Sequence, residues 1–253
     1  MAFNTELTEE KNCWKKSSVA EGAFLPSGRD YFRAFREAVV SARREVVLLA
    51  WDLCETVEMV RDEEDDDGYP SSLVDFLIAM LEEKPELRIR ILLWDYSVIY
   101  AAEREWLPFT KIARLNNPRL ELVTDDTVPA GASHHQKLVV IDGALAICGG
   151  LDLAAWRWDS PEHQANDPRR RDPKNKPYQP YHDIQVVLRG EICRDLHELA
   201  SSRWERATGK PLPKPKRSED RENWPKSVTV DFETTAAAIS LTYPKYKSFP
   251  ELH

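Results

Sequence analysis

The run from Ser133 to Leu153 constrains this chain more than any other. It reads Ser133-His134-His135-Gln136-Lys137, then the apolar Leu138 to Ile141, Asp142-Gly143, Ala144 to Cys148, and Gly149-Gly150-Leu151-Asp152-Leu153. An apolar, β-branched run of four residues predicts a buried strand. Asp-Gly after it is a two-residue turn signal, so Ala144 to Cys148 returns as the second strand of a hairpin. His135 and Lys137 stand two apart, and on a strand both face the same way. An imidazole beside an ammonium suits an anionic group with tetrahedral oxygens, and Gly149 and Gly150 let backbone approach it closely.

The rest of the chain supplies elements that fit around this hairpin. Residues 1–26 read as irregular, with Trp14 and Phe24 as anchors. Pro26-Ser27-Gly28 is a turn, and from Arg29 the spacing of Tyr31, Phe32, Phe35, Ala38, Val39 and Ala42 predicts a helix. Glu45 to Trp51 and Leu87 to Trp94 read as buried strands, each ending in Trp-Asp. Trp51 reads as core, although ligands do gather at strand ends in open sheets. Asp62 to Asp67, acidic at every position, reads as a solvated loop, because it lacks the spacing of a calcium loop. Ser72 and Asp75 resemble a capping box ahead of a helix through Leu73, Phe76, Leu77, Met80 and Leu81. A helix over 98–116 broken at Pro108, a strand over Arg119 to Val123, a strand over Ile184 to Leu188 and a helix from Glu191 to about Ala207 follow. Helix alternating with strand predicts an α/β unit over 27–209, with a mixed, mostly parallel sheet flanked by helices. The polar stretch Arg157 to Tyr181 is long enough to be a rim or lid over a site. Its Pro168-Arg169-Arg170-Arg171 either meets an anionic head group or membrane surface, or belongs to a solvated loop. Lys210 to Arg217 opens a Pro/Lys-rich linker over 210–235, and Ala236 to Leu241 reads as a last strand.

The 253 residues hold 42% hydrophobic side chains, enough for a core, and no apolar run approaches the length of a membrane span. The polar, acidic start carries no signal-peptide pattern, so the expectation is a chain made in the cytoplasm, with secretion as a toxin still open. A net charge of −8 argues against nucleic acid as the main partner. Cys13, Cys54, Cys148 and Cys193 have no zinc spacing and read as small buried hydrophobes in a reducing compartment. His134 and His135 diverge as neighbours on a strand, so no metal is expected there.

His135-x-Lys137, four residues, Asp142, six residues, Gly149-Gly150 resembles the signature of the phospholipase D superfamily. With average residue usage these spaced positions arise by chance on the order of once in ten thousand chains of this size. Ser133 to Lys137 and Gly149 to Leu153 look like the lipid-hydrolysing branch more than the nuclease branch. Gly28 to Phe32, Ile91 to Asp95, Arg157-Trp158-Asp159, Tyr181-His182-Asp183 and Arg203-Trp204 look like the first half of a bacterial phospholipase D. Ala238 to Pro244 looks like the opening strand of the family's second half, so 236–253 reads as the start of a half that this sequence does not continue.

The resemblance implies a phosphodiesterase that cleaves glycerophospholipids to phosphatidic acid through a phosphohistidine, without cofactor or metal. His135 would be the nucleophile and Lys137 the phosphate ligand, while Asp142 would be either a third catalytic residue or a turn residue. Asp152 takes the place of the family's supporting Asn or Asp. Asp183 would orient the histidine of an opposite half, so a second phospholipase D half or a homodimer mate is an expected partner, beside the phospholipid or membrane surface. A single-motif homodimeric phosphodiesterase or nuclease, and an inactive partner subunit, are the alternatives.

Overall fold

A computed structural model describes residues 7–9, 11–95, 110–129, 131–215 and 223–247. Its elements follow in the order β1 (Lys15–Leu25), α1 (Gly28–Ser41), β2 (Glu45–Ala50), a 3-10 turn (Glu63–Asp65), α2 (Leu73–Glu83), β3 (Arg88–Trp94), α3 (Thr110–Leu115), β4 (Leu120–Asp125), β5 (Leu138–Ile141), β6 (Leu145–Gly149), β7 (Gln185–Arg189), α4 (Ile192–Thr208) and β8 (Phe232–Ile239). The eight strands form one sheet in the order β4-β3-β2-β5-β6-β7-β1-β8. The part of the helix expected before Thr110 lies outside the described residues.

Burial on both faces explains the uninterrupted apolar runs. Along β2, Val46, Leu48 and Ala50 face a core with Phe32, Phe35 and Phe76 from α1 and α2. Val47 and Leu49 face the other way, into a second core with Leu196, Leu199 and Trp204 from α4. α1 starts where Ser27 caps it, the hydroxyl accepting the Asp30 N–H at 3.2 Å. At α2 the expected capping box takes another form: the Ser72 hydroxyl donates to Asp75 Oδ2 at 2.6 Å and makes no cap bond to backbone.

Three expectations need correction. The sheet is mixed but mostly antiparallel. Only β2–β3 and β3–β4 run parallel, and the other five neighbouring pairs are antiparallel. Helix-strand alternation governs just the β2-to-β4 side. The Asp142-Gly143 reversal turns β6 back along β5, and β7, β1 and β8 extend the sheet in the same alternating sense. Second, residues 15–25 are a strand and not irregular. β1 is the last strand but one of the sheet, pairing with β7 on one side and with the edge strand β8 on the other. The last strand also starts inside the expected linker, at Phe232, and is the edge of this same sheet.

Third, the charged loops hold each other. Asp65 is buried and accepts from Arg29 Nε at 2.8 Å, Arg36 pairs with Asp67, and Arg169 Nη1 lies 2.8 Å from Asp62. Arg170 is buried on Asp159, which also takes His163 Nδ1 and the Tyr181 N–H. The acidic run is thus docked through Asp62, Asp65 and Asp67, while Glu63, Glu64 and Asp66 stay exposed. Arg169 and Arg170 neutralise internal carboxylates and do not form an anion-binding rim. No described helix is long and apolar enough to cross a membrane.

Candidate active site

The site lies where the segment 133–137 enters β5, beside the ends of β2 and β3. Lys137 is buried, and its ammonium sits 3.2 Å from Asp152 Oδ2, 3.2 Å from the His135 carbonyl oxygen and 5.5 Å from the centre of the Trp51 ring. Asp152 is equally buried, and its Oδ1 accepts the Trp51 N–H at 3.0 Å. Burial pushes the lysine down and the carboxyl up, and each partner's charge opposes the shift of the other. The pair thereby fixes one ammonium in a dry position beside His135.

His135 is exposed, with its ring edge-on to Trp51 at 5.8 Å, and Trp51 stacks on Trp94 at 5.9 Å. Partial burial, and then the Lys137 charge, lower its pKa below the ordinary 6.5, against the opposing pull of Asp152 and Asp183. The imidazole is therefore neutral, with a lone pair available, at neutral pH.

Gly149 and Gly150 bring β6 against the start of β7. Gly150 N–H donates to Ile184 O at 3.1 Å, and a Cβ on Gly150 would overlap the Asp183 carboxylate. Asp183 is half-buried and accepts the Ile184 N–H at 2.8 Å. Its charge acts on both His135 and Lys137, as does that of Arg157, whose guanidinium stacks 4.8 Å over Tyr181. The structure therefore gathers His135, Lys137, Asp152, Asp183 and the glycine pair.

Asp142 is not part of this group. It sits at the other end of β5, five residues or roughly 16 Å of extended chain from Lys137. Its carboxylate accepts the backbone N–H groups of Arg43, Arg44 and Glu45 at 2.8–2.9 Å, and its φ of 51° makes it a turn residue. The catalytic assignment of Asp142 is corrected to a structural one: it ties the β5–β6 turn to the start of β2. Trp51, read as core, instead lines the site, and Trp94 supports it. Their signal was visible in the paired Trp-Asp strand ends. Arg157 stood in the expected rim and in the Arg157-Trp158-Asp159 resemblance, but its action on His135 emerges only from the fold.

The family model described as Phospholipase D matches residues 38–240. The chain belongs to the phospholipase D family. Phospholipase D zeta 2 of Arabidopsis thaliana is 27% identical over 220 residues, covering 74% of this chain and 20% of that protein. Phospholipase D1 of Saccharomyces cerevisiae is 26% identical over 217 residues, covering 72% of this chain and 12% of that protein. The chain thus spans a fifth or less of the length of these two phospholipases D. Among solved structures, NucT from Helicobacter pylori superposes with a TM-score of 0.47 at 11% identity, over 76% of this chain and 99% of that one.

Proposed function

We propose that the chain provides one half of a phosphodiesterase site that hydrolyses glycerophospholipids to phosphatidic acid. The observation that carries the reading is the neutral, exposed His135 imidazole beside an ammonium locked onto a buried carboxylate. The imidazole lone pair attacks phosphorus, the bond to the head-group oxygen breaks, and the departing alcohol takes a proton from an acid contributed by a second half or a second copy. Water then cleaves the phosphorus–nitrogen bond, releasing phosphatidic acid and free His135. Lys137 stabilises the negative charge on the non-bridging oxygens, and its position costs no reorganisation as that charge develops. Support for the lipid class comes from the resemblance of residues 133–137 and 149–153 to lipid-hydrolysing members, and from the net charge of −8, which disfavours nucleic acid.

The test is incubation of the chain, across a range of protein concentrations, with vesicles of phosphatidylcholine and phosphatidylethanolamine. Phosphatidic acid is measured by mass spectrometry, with His135→Ala in parallel. Product that disappears in the variant is the expected result. Absence of phosphatidic acid at every concentration, together with His135-dependent nicking of plasmid DNA, would replace the lipid with a nucleic acid substrate.

A further inference from the structure

The segment carrying His135 and Lys137 is scarcely held by the sheet. β5 starts at Leu138, and among the described residues the backbone bond that ties the segment to the neighbouring strand, from Gly149 N–H to Lys137 O, is long at 3.4 Å. Its alternate residues supply the missing anchorage. His134 and Gln136 point away from the site, toward α4. His134 is buried, with Nε2 3.1 Å from Asp125 Oδ2 at the end of β4. Arg203 of α4, also buried, donates to the same carboxylate oxygen from Nε at 3.1 Å and Nη2 at 2.7 Å. Its remaining nitrogen, Nη1, donates to Gln136 Oε1 at 2.5 Å. The Gln136 amide nitrogen donates to the Tyr243 hydroxyl at 3.0 Å. The second Asp125 oxygen accepts from Thr127 N at 2.9 Å. One planar guanidinium thus joins β4, α4 and both anchoring residues of the segment, a task for which the single point donor of lysine has the wrong shape.

We propose that Arg203 is a positioning residue: through Asp125–His134 on one side and Gln136–Tyr243 on the other, it sets the register in which His135 and Lys137 face the site. The proposal rests on the reading of His135 as nucleophile. No other element holds two alternate residues of the segment to a common group among the described residues, so loosening this hub moves the reacting imidazole without disturbing the pair of cores. A displacement of about 1 Å at a reacting group can cost on the order of 100-fold in rate.

The experiment compares Arg203→Lys with Gln136→Leu, which leaves Arg203 and His134 on Asp125 and cuts the Gln136 tie to the segment. Thermal unfolding checks the fold. The titration of His135 is followed by NMR of labelled imidazole carbons, and phosphatidic acid formation gives kcat and KM. Lys137, Arg157, Asp152 and Asp183 are the charges acting on His135, so its midpoint reports its place among them. In both folded variants the expected result is a His135 midpoint displaced from wild type, and a kcat lowered by about 10-fold to 100-fold with KM nearly unchanged. Folded variants with an unchanged midpoint and unchanged kcat would overturn the proposal. Should Arg203→Lys fail to fold, Gln136→Leu alone decides. The NMR readout needs no turnover, so a wild-type chain without lipase activity overturns the lipid reading while leaving the positioning measurable.

Discussion

At the scale of single residues, Asp142 shows how far the chemistry of a motif separates from its geometry. The carboxylate satisfies three backbone donors, and its left-handed φ suits Asp or Asn but strains alanine. Asp142→Ala is expected to lower stability by about 1–3 kcal/mol in urea unfolding, because part of that network is left to solvent or unpaired. Asp142→Asn should lose less, and neither should move the His135 titration. Protonation gives a second residue-scale expectation. The pKa values of His134 and His135 are both lowered from 6.5; for His134 the cause is burial first, with Arg203 adding to it and Asp125 opposing. Burial would raise the Asp125 carboxyl, but His134 and Arg203 outweigh it and hold the group well below the carboxylate range. A histidine harder to protonate folded than unfolded contributes stability that is complete above about pH 6.5. As pH falls below that value the unfolded chain takes up protons first and stability declines, until the folded pKa is passed. Chemical unfolding at a series of pH values should therefore show stability falling on the acid side of 6.5, with His134→Asn flattening the fall. The acid limb of phosphatidic acid formation should likewise lie below 6.5, since His135 stays neutral to lower pH than a free imidazole.

At the scale of elements, the strands and helices beside the motif were legible because each has an unambiguous period and a buried face. β5 occupies the expected Leu138 to Ile141, and β2, β3, β6, β7 and α4 differ from their expected bounds by one residue at either end. β1 was not legible. Its sequence Lys-Lys-Ser-Ser-Val-Ala-Glu-Gly-Ala-Phe-Leu lacks a continuous alternation, and it becomes a strand only because β7 and β8 offer their edges over a bulged register. The docked acidic loop was hidden for a related reason: its arginine partners lie 31 to 107 residues away. At the site, His135 and Lys137 lie just upstream of β5 and keep the alternation expected of a strand, whereas Trp51 and Arg157 depended on the tertiary arrangement of strand ends and rim. The glycine pair offers a test at this scale. A Cβ at Gly149 would run into the backbone of Ile184 and Gln185, whereas at Gly150 it meets only the end of the Asp183 side chain. Gly149→Ala should therefore cost stability, by about 1–3 kcal/mol as for other overpacked sites. Gly150→Ala should leave the unfolding midpoint nearly unchanged but push Asp183 aside. Since Asp183 raises the His135 pKa, its withdrawal should lower the His135 midpoint further, which NMR titration can check.

At the scale of the whole molecule, the decisive property is that, among the described residues, His135 is the one imidazole placed to act as the proposed nucleophile. His163 and His182 contact each other on the rim, His134 is committed to Asp125 and His197 to Glu45. Among the described residues none of these is an obvious acid for the leaving alcohol, so the proposed reaction calls for a second phospholipase D half, which a second copy of this chain can supply through a two-fold axis. That arrangement has a kinetic signature. If two copies complete the site, specific activity rises with protein concentration until the dimer is saturated, and it follows the dimer fraction measured by sedimentation. Two chains of net charge −8 repel each other, so screening by added salt should shift the rise to lower concentration. A complex with nucleic acid, held by phosphate contacts, would respond to salt in the opposite direction. Mixing His135→Ala with wild-type chains should then remove activity faster than simple dilution, because a mixed dimer retains one imidazole where the reaction uses two. Specific activity independent of concentration, with titration by His135→Ala that merely dilutes, would mean that one chain completes its own site and that the acid must be sought among its own residues, starting with His182 on the rim.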